Sequence, residues 1–319
     1  MSNYAYVATR ARSRRSRLLP AEAYNQLLNL EHAEIARYIQ DLEYRREIDR
    51  YGSTLSGADL IETALVDNLA KDIGDFLSFS KGKLRDILHV YAEKYRVDNL
   101  KNIIRGINQN MDRQNLERLV CPINDSDKDL YSKLYDSKTV EDVISSLEGT
   151  SYYNPLKKAL ESRNSDSLQP LEDTLDLIYY RNLVSNQPSG GADVEVYRNF
   201  VQLKVDIANI KTLLRMRHRG IGSHDELLIS GGTLSTDLLA STQSLEDLLS
   251  SLEGTKYFEL LEPHLKPDSV DLNSCVHSLD EYMAKKTKRF SYLYPLSVLP
   301  VLDYLLKKER EVYLSLIHI

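Results

Sequence analysis

The sequence predicts an all-α protein made of three similar helical units. A hexapeptide, Ser145-Ser146-Leu147-Glu148-Gly149-Thr150, returns as Ser250-Ser251-Leu252-Glu253-Gly254-Thr255, and each copy leads, after one variable residue, to a tyrosine, Tyr152 or Tyr257. Leu100, Ile103, Ile104 and Ile107 follow the i, i+3, i+4, i+7 rule of an amphipathic helix, and Ile210, Leu213 and Leu214 repeat it. Period-2 alternation of β-branched residues, the signature of strands, is scarce. Self-similarity at an offset of 105 residues marks a chain that repeats a unit the size of a small domain.

The first unit, residues 1–110, opens with an arginine-rich segment that stops at Pro20. A weaker copy of the repeat follows, in which Ile39, Tyr44 and Ile48 match Leu147, Tyr152 and Leu156 at an offset of 108. Gly52 and Gly57 mark a turn. Glu62 and Leu65 then reappear in the next unit as Glu172 and Leu175, and Lys94 with Asn99–Arg105 reappears as Lys204 with Asn209–Arg215. Asn99 and Asn209 lie at the rim of their apolar stripes, where an interhelical hydrogen bond is expected, because buried polar groups need partners.

The second unit, residues 111–215, begins near Pro122 and contains the clearest break in the chain, Gln187-Pro188-Ser189-Gly190-Gly191. The third, residues 216–319, begins with Gly220 and Gly222 and has a second break at Gly231-Gly232. Leu156 and Leu160 match Leu261 and Leu265 beyond the hexapeptide. The Glu-Gly-Thr segments read as turns between helices, with Thr150 and Thr255 placed to act as N-caps.

Composition narrows the function. Charged residues are 28%, hydrophobic residues 42%, and the net charge is −6. A mildly acidic chain is a poor starting point for general nucleic-acid binding. No apolar run approaches the roughly 20 residues that cross a bilayer, and no apolar signal core follows the N-terminal arginines. Cys121 and Cys275 fit no CxxC or disulfide pattern, which suggests a reducing compartment. The 21 tyrosines suit helix–helix seams, with rings in the core and hydroxyls wet.

Catalytic motifs are missing. There is no GxxxxGK[ST] element, no HExxH and no GxSxG elbow. Gly190-Gly191 and Gly231-Gly232 lack the strand–helix context of a phosphate cradle. His32, His89, His218, His224, His264, His277 and His318 are scattered, with only His218 and His224 close enough to suggest a metal. No cofactor, metal or catalytic residue is assigned.

Two basic clusters are the candidate contact residues. Arg10, Arg12, Arg14, Arg15 and Arg17 precede the first acid, Glu22; in a helix Arg10, Arg14 and Arg17 share one face. Arg215, Arg217, His218 and Arg219 end the second Asn-Ile-Lys helix, where the helix dipole alone favours cations. An acidic protein, anionic lipid or RNA would suit either cluster, as would plain solvation.

Several ordered segments resemble the C subunit of the A-type/V-type ATP synthases, a relative of the d subunit of eukaryotic V-ATPases. They are Tyr4-Ala5-Tyr6-Val7 with Arg10 and Arg12, Ser16-Arg17-Leu18-Leu19, and Asp206-Ile207-Ala208-Asn209 through Arg215. The last is Tyr294-Pro295-Leu296-Ser297-Val298-Leu299-Pro300, running on to Lys308-Glu309-Arg310-Glu311-Val312. The resemblance implies three homologous helical domains around a pseudo-threefold axis, forming a funnel. It implies a non-catalytic rotor subunit, peripheral on the cytoplasmic face of the cell membrane. Its partners would be the D subunit of the central shaft, the F subunit beside it and the proteolipid rotor ring, with no nucleic acid. One departure stands out. After Val312 the family pattern continues Asn-Leu-Arg and a glycine-containing tail, a third copy of the motif at Asn99 and Asn209. Here Tyr313-Leu314-Ser315-Leu316-Ile317-His318-Ile319 stands instead, so the last helix is expected to be cut short or altered. The residues alone leave two other readings open: a helical-repeat scaffold that binds RNA or an acidic partner through its arginines, and a hydrolase or metalloenzyme with an unrecognised site.

Overall fold

The computed structural model describes residues 2–162, 167–188, 190, 192–221, 225–266 and 269–317. Ser189, Gly191, Gly222, His224, His318 and Ile319 lie outside the described residues, as do the side chains of 313–317. The described chain is helical. It runs α1 (Tyr4–Arg15), α2 (Ala21–Leu27), α3 (His32–Gln40), α4 (Arg45–Tyr51), α5 (Gly57–Phe79), α6 (Lys83–Asn108), α7 (Arg113–Leu119), α8 (Asp125–Leu134), α9 (Val140–Ser146) and α10 (Tyr153–Glu161). There follow α11 (Gln169–Ser185), α12 (Ala192–His218), α13 (Thr236–Ser241), α14 (Leu245–Ser251), α15 (Lys256–Leu261), α16 (Leu272–Leu293) and α17 (Leu299–Ile317). The only strands among the described residues are β1 (Leu265–Lys266) and β2 (Ser269–Val270), an antiparallel pair with Leu265 opposite Val270.

Local chemistry repeats along the chain. Helices α3, α9 and α14 each open with a capping box, in Glu31 with Glu34, Thr139 with Asp142, and Ser244 with Asp247. These positions are related by the same offsets of 108 and 105 residues as the tyrosines. In each box the two side chains satisfy backbone donors that a helix start leaves orphaned. The turns after α9 and α14 place Gly149 and Gly254 at φ 85° and 76°, where a side chain would be strained. Thr255 caps α15 as expected. Thr150 does not cap α10, whose N-cap is Tyr152. Its hydroxyl instead donates to the Leu147 carbonyl at 2.7 Å and accepts from the Tyr152 amide at 3.3 Å. Short helices are followed by two long ones at α5/α6, α11/α12 and α16/α17.

The chain divides into two compact units, Met1–Leu175 with Pro295–Ile319, and Asp176–Tyr294. In the first, α5 packs against α3, α4 and α17, and α17 also packs on α1. Its core includes Leu60, Ile61, Ala64 and Leu65 of α5 with Ile35, Ile39 and Ile48 of the short helices. In the second, α12 packs against α14 and α16. Leu213 and Leu214 of α12, and Leu279 and Met283 of α16, are buried there. Cys121 and Cys275 are both free thiols.

Asn99 makes the expected bond to another helix, donating to the Tyr131 hydroxyl of α8 at 3.4 Å, but the shorter bonds of both equivalent asparagines go to loop backbone. Asn99 Nδ2 donates to the Cys121 carbonyl at 2.8 Å, and the Cys121 amide donates to Asn99 Oδ1 at 3.1 Å. Asn209 closes the same clasp on Ile229, at 2.8 and 2.9 Å. Each long helix thus holds an irregular segment whose backbone groups would otherwise be buried without partners. The repeated motif encodes a helix-to-loop clasp. Asn99→Ala and Asn209→Ala should each destabilise the chain by about 2 kcal/mol, since both leave a backbone pair unsatisfied. Urea denaturation of the two variants checks this, and unchanged midpoints would remove the clasp's importance.

Candidate functional site

The repeat tyrosines carry the first part of the site. Tyr44, Tyr152 and Tyr257 each donate a hydroxyl proton to a carboxylate on a long helix: Tyr44 to Glu311 of α17, Tyr152 to Glu93 of α6, and Tyr257 to Asp206 of α12, the last at 3.0 Å. These hydroxyls are buried rather than wet, because each repeat turn is pressed against a helix that offers a carboxylate acceptor. Burial first, then the neighbouring negative charge, pushes all three phenols well above their ordinary value of 10.0.

Helix α17 is the densest polar element. Asp303, Lys308, Glu309 and Glu311 are all buried on it. Asp303 pairs with Arg15 of α1 at 2.8 Å and with Lys307 at 3.0 Å. Tyr304 donates to Asp72 of α5. Lys308 donates to the Tyr44 hydroxyl at 2.6 Å and lies 3.4 Å from Glu311, which also accepts the Leu19 amide. Glu309 takes Lys94 of α6 at 2.5 Å together with the Tyr91 and Tyr95 hydroxyls. Burial lowers the affinity of Lys308 for its proton, although Glu311 and Asp72 pull the other way. Burial likewise raises the Asp72 carboxyl against the opposing effects of Tyr304 and Arg14.

The Gly231-Gly232 break is a cradle for an internal anion. Asp206 is wholly buried. It accepts the Thr233 amide at 2.8 Å, the Leu234 amide at 3.1 Å, the Thr233 hydroxyl and Tyr257. A Cβ on Gly232 would collide with the Asp206 carboxylate, and Gly231 sits at φ +108° against Val184. The glycines let backbone amides close on a carboxylate supplied by α12, so this loop is filled from within. The sequence carries no sign of this role for Asp206. Its spacing to Gly232 is visible, but nothing in one sequence says that the two meet.

The arginine clusters are largely occupied. Arg10 lies over the Phe79 ring at 4.2 Å and the Tyr6 ring at 4.9 Å. Arg14 joins Asp72 and Asp75 of α5, both at 2.5 Å. Helix α1 ends at Arg15, so Arg17 does not continue the face of Arg10 and Arg14; it pairs with Glu43 at 2.8 Å. In the second cluster Arg217 is buried, donating to the Ile221 carbonyl at 2.9 Å and Thr242 Oγ1 at 3.4 Å. Arg215 is half-buried and Arg219 is exposed just beyond α12. The structure therefore gives Arg14, Arg17 and Arg217 partners within the chain, while Arg10, Arg12, Arg17 and Arg219 are exposed. Among the described residues no group of three His, Cys, Asp or Glu could hold a metal ion, and no helix is long and apolar enough to cross a membrane.

Two outcomes follow from this geometry. Lys308→Ala leaves Glu311 and Tyr44 facing an uncompensated buried charge, and should destabilise the chain by about 3–5 kcal/mol. Arg17→Ala, which breaks an exposed pair, should unfold close to wild type in the same urea titration. The tyrosines set an alkaline limit. Their folded values are raised, with Tyr24 and Tyr51 at about 12 and others higher, against 10.0 unfolded. Stability is then full below pH 10.0 and lost as pH rises toward the folded values. Tyrosinate absorbance and helical circular dichroism should change together above that pH. Ionisation of all tyrosines with the helix signal intact would refute the buried latches.

Comparison with known proteins places the chain. Residues 7–313 match the family described as ATP synthase (C/AC39) subunit. The chain is 34% identical to the A-type ATP synthase C subunit of Haloferax volcanii over 98% of its own length and 91% of the relative's. It is 33% identical to that of Halobacterium salinarum, again over 98% and 91%. It is 32% identical to that of Archaeoglobus fulgidus over 97% and 89%. The chain belongs to the ATP synthase (C/AC39) subunit family, whose members are structural rather than catalytic subunits.

Proposed function

We propose that this chain is the central-rotor subunit of an A-type/V-type ATP synthase. In this reading it couples the central shaft to the membrane rotor ring, so that ion flow drives ATP synthesis. Its partners are the D subunit of the shaft, the F subunit and the proteolipid ring, and it sits peripherally on the cytoplasmic face of the cell membrane. The observation that carries the reading is the family match over residues 7–313.

The internal chemistry supports it. A torque adaptor must transmit strain without yielding, and close-packed helices with satisfied polar seams do this. In this reading the chain is three duplicated units, residues 1–110, 111–215 and 216–319, about a pseudo-threefold axis as a funnel; the order of the latches supports the duplication. Tyr44 in the first unit grips α17 of the third, Tyr152 in the second grips α6 of the first, and Tyr257 in the third grips α12 of the second. Each unit thus holds the long helix of the one before it, and the first holds the last. The alternative of an RNA-binding scaffold loses Arg14, Arg17 and Arg217 to internal partners.

Purified full-length chain should retain the purified shaft protein on an affinity column and co-elute with it in gel filtration. A well-folded chain that fails to bind the shaft protein under both conditions would overturn the proposal. A salt titration against RNA should show no steep loss of affinity, because Arg14, Arg17 and Arg217 of the two arginine clusters already have partners within the chain.

A further inference from the structure

We propose that the exposed end of α16 is a docking face for an anionic lipid surface. The buried stripe of this helix is Cys275, Leu279, Met283, Thr287 and Ser291. Lys285, Lys288, Arg289, Tyr292 and Leu293 fall on the opposite side, at the i, i+3, i+4, i+7, i+8 spacing of one helix face. All five are exposed. Tyr292 is 62% and Leu293 59% accessible, and the residue that ends the helix, Tyr294, adds 41%.

Charge and polarity are sorted along this face. Cations occupy positions 285–289, and the exposed apolar side chains follow at 292–294. No Asp or Glu occurs between Ala284 and Tyr294, in a chain whose net charge is −6. Glu281, one turn earlier, pairs with Lys285 at 3.5 Å. Lys286 is set apart, with its ammonium over the Tyr282 ring at 5.4 Å.

Three occupants could cover such a face, and its chemistry favours one. The core of a protein–protein interface is depleted in lysine, whereas this face carries two beside an arginine. A nucleic acid would use the cations but would give Leu293 nothing to bury against. A bilayer surface uses both parts. Phosphate headgroups take the cations, and Leu293 and the tyrosines enter the boundary between headgroup and acyl chain, where amphipathic tyrosine rings concentrate. Near an anionic leaflet each added Lys or Arg strengthens binding about fivefold. The inference does not depend on the rotor reading, since it concerns a surface of this chain alone.

The test is co-sedimentation of the full-length chain with vesicles of phosphatidylglycerol and phosphatidylcholine, and with vesicles of phosphatidylcholine only. Binding is expected to the anionic vesicles, and it should weaken steeply with added salt. The variant Lys285→Gln/Lys288→Gln/Arg289→Gln should lose about 100-fold in affinity. Tyr292→Ser/Leu293→Ser should lose about tenfold or more while keeping the salt dependence. Both variants change exposed positions, and circular dichroism verifies their folding; the salt titration of the unaltered chain stands even where a variant misfolds. Equal binding to neutral vesicles, no binding to either, or full binding by the charge-neutralised variant would overturn the proposal. So would a face that instead closes in a dimer by light scattering, or that binds an RNA oligonucleotide and no vesicle. Binding of the shaft protein, measured on the same variants, should be unchanged, which separates this proposal from the rotor reading.

Discussion

A carboxylate buried in a helical protein must be given donors, and this requirement organises the chain. Glu311, Glu93, Asp206, Asp72 and Glu309 each accept a tyrosine hydroxyl. Glu93 is part-exposed; unpaired, any of the four buried ones would face a desolvation penalty of several kcal/mol. The phenol suits the task because it fills core volume with its ring and delivers a single directed proton from the tip. Five carboxylates so bound, on four long helices, fix those helices in rotation as well as position. An apolar seam alone would tolerate slippage; a directed hydrogen bond does not.

The same requirement gives part of the amino-terminal arginine cluster a role inside the chain. Arg14 and Arg15 neutralise Asp72, Asp75 and Asp303, which lie on helices distant in sequence. The cations are structural counterparts of carboxylates that the chain buries elsewhere. Across the described residues, exposed positive charge stands together with exposed apolar side chains at the end of α16, a region with no distinctive sequence motif.

Much of the fold is legible in the sequence because duplication exposes what each position must do. The repeated hexapeptide marks the turns, the apolar spacing at Leu100–Ile107 marks α6, and the offset of 108 aligns Tyr44 with Tyr152, whose hydroxyls both reach carboxylates. The partners are not legible. Asn99 and Asn209 show the position of a buried amide, but whether it meets a helix or a loop backbone depends on tertiary contact. The face of Arg10, Arg14 and Arg17 assumes a helix that in fact ends two residues too early. Asp206 gives no signal of its burial, since a carboxylate inside a helix looks like a solvated one until its glycine cradle is seen. The repeat tyrosines also find partners that no local pattern shows: Tyr152 and Tyr257 reach back to Glu93 and Asp206, and Tyr44 reaches forward to Glu311.

Helix α17 completes a unit whose other members are the first 175 residues. On the ribosome, that amino-terminal part emerges long before its final helix has been synthesised. Until then Tyr44, Asp72 and Lys94 have no Lys308, Tyr304 or Glu309 to meet, and the apolar flank of α5 lacks its cover. Domains normally fold as they leave the exit tunnel, in order from the amino terminus. Here the earlier-made residues of this unit must wait for α17, which is made only after the whole of the second unit, before this half of the molecule can settle.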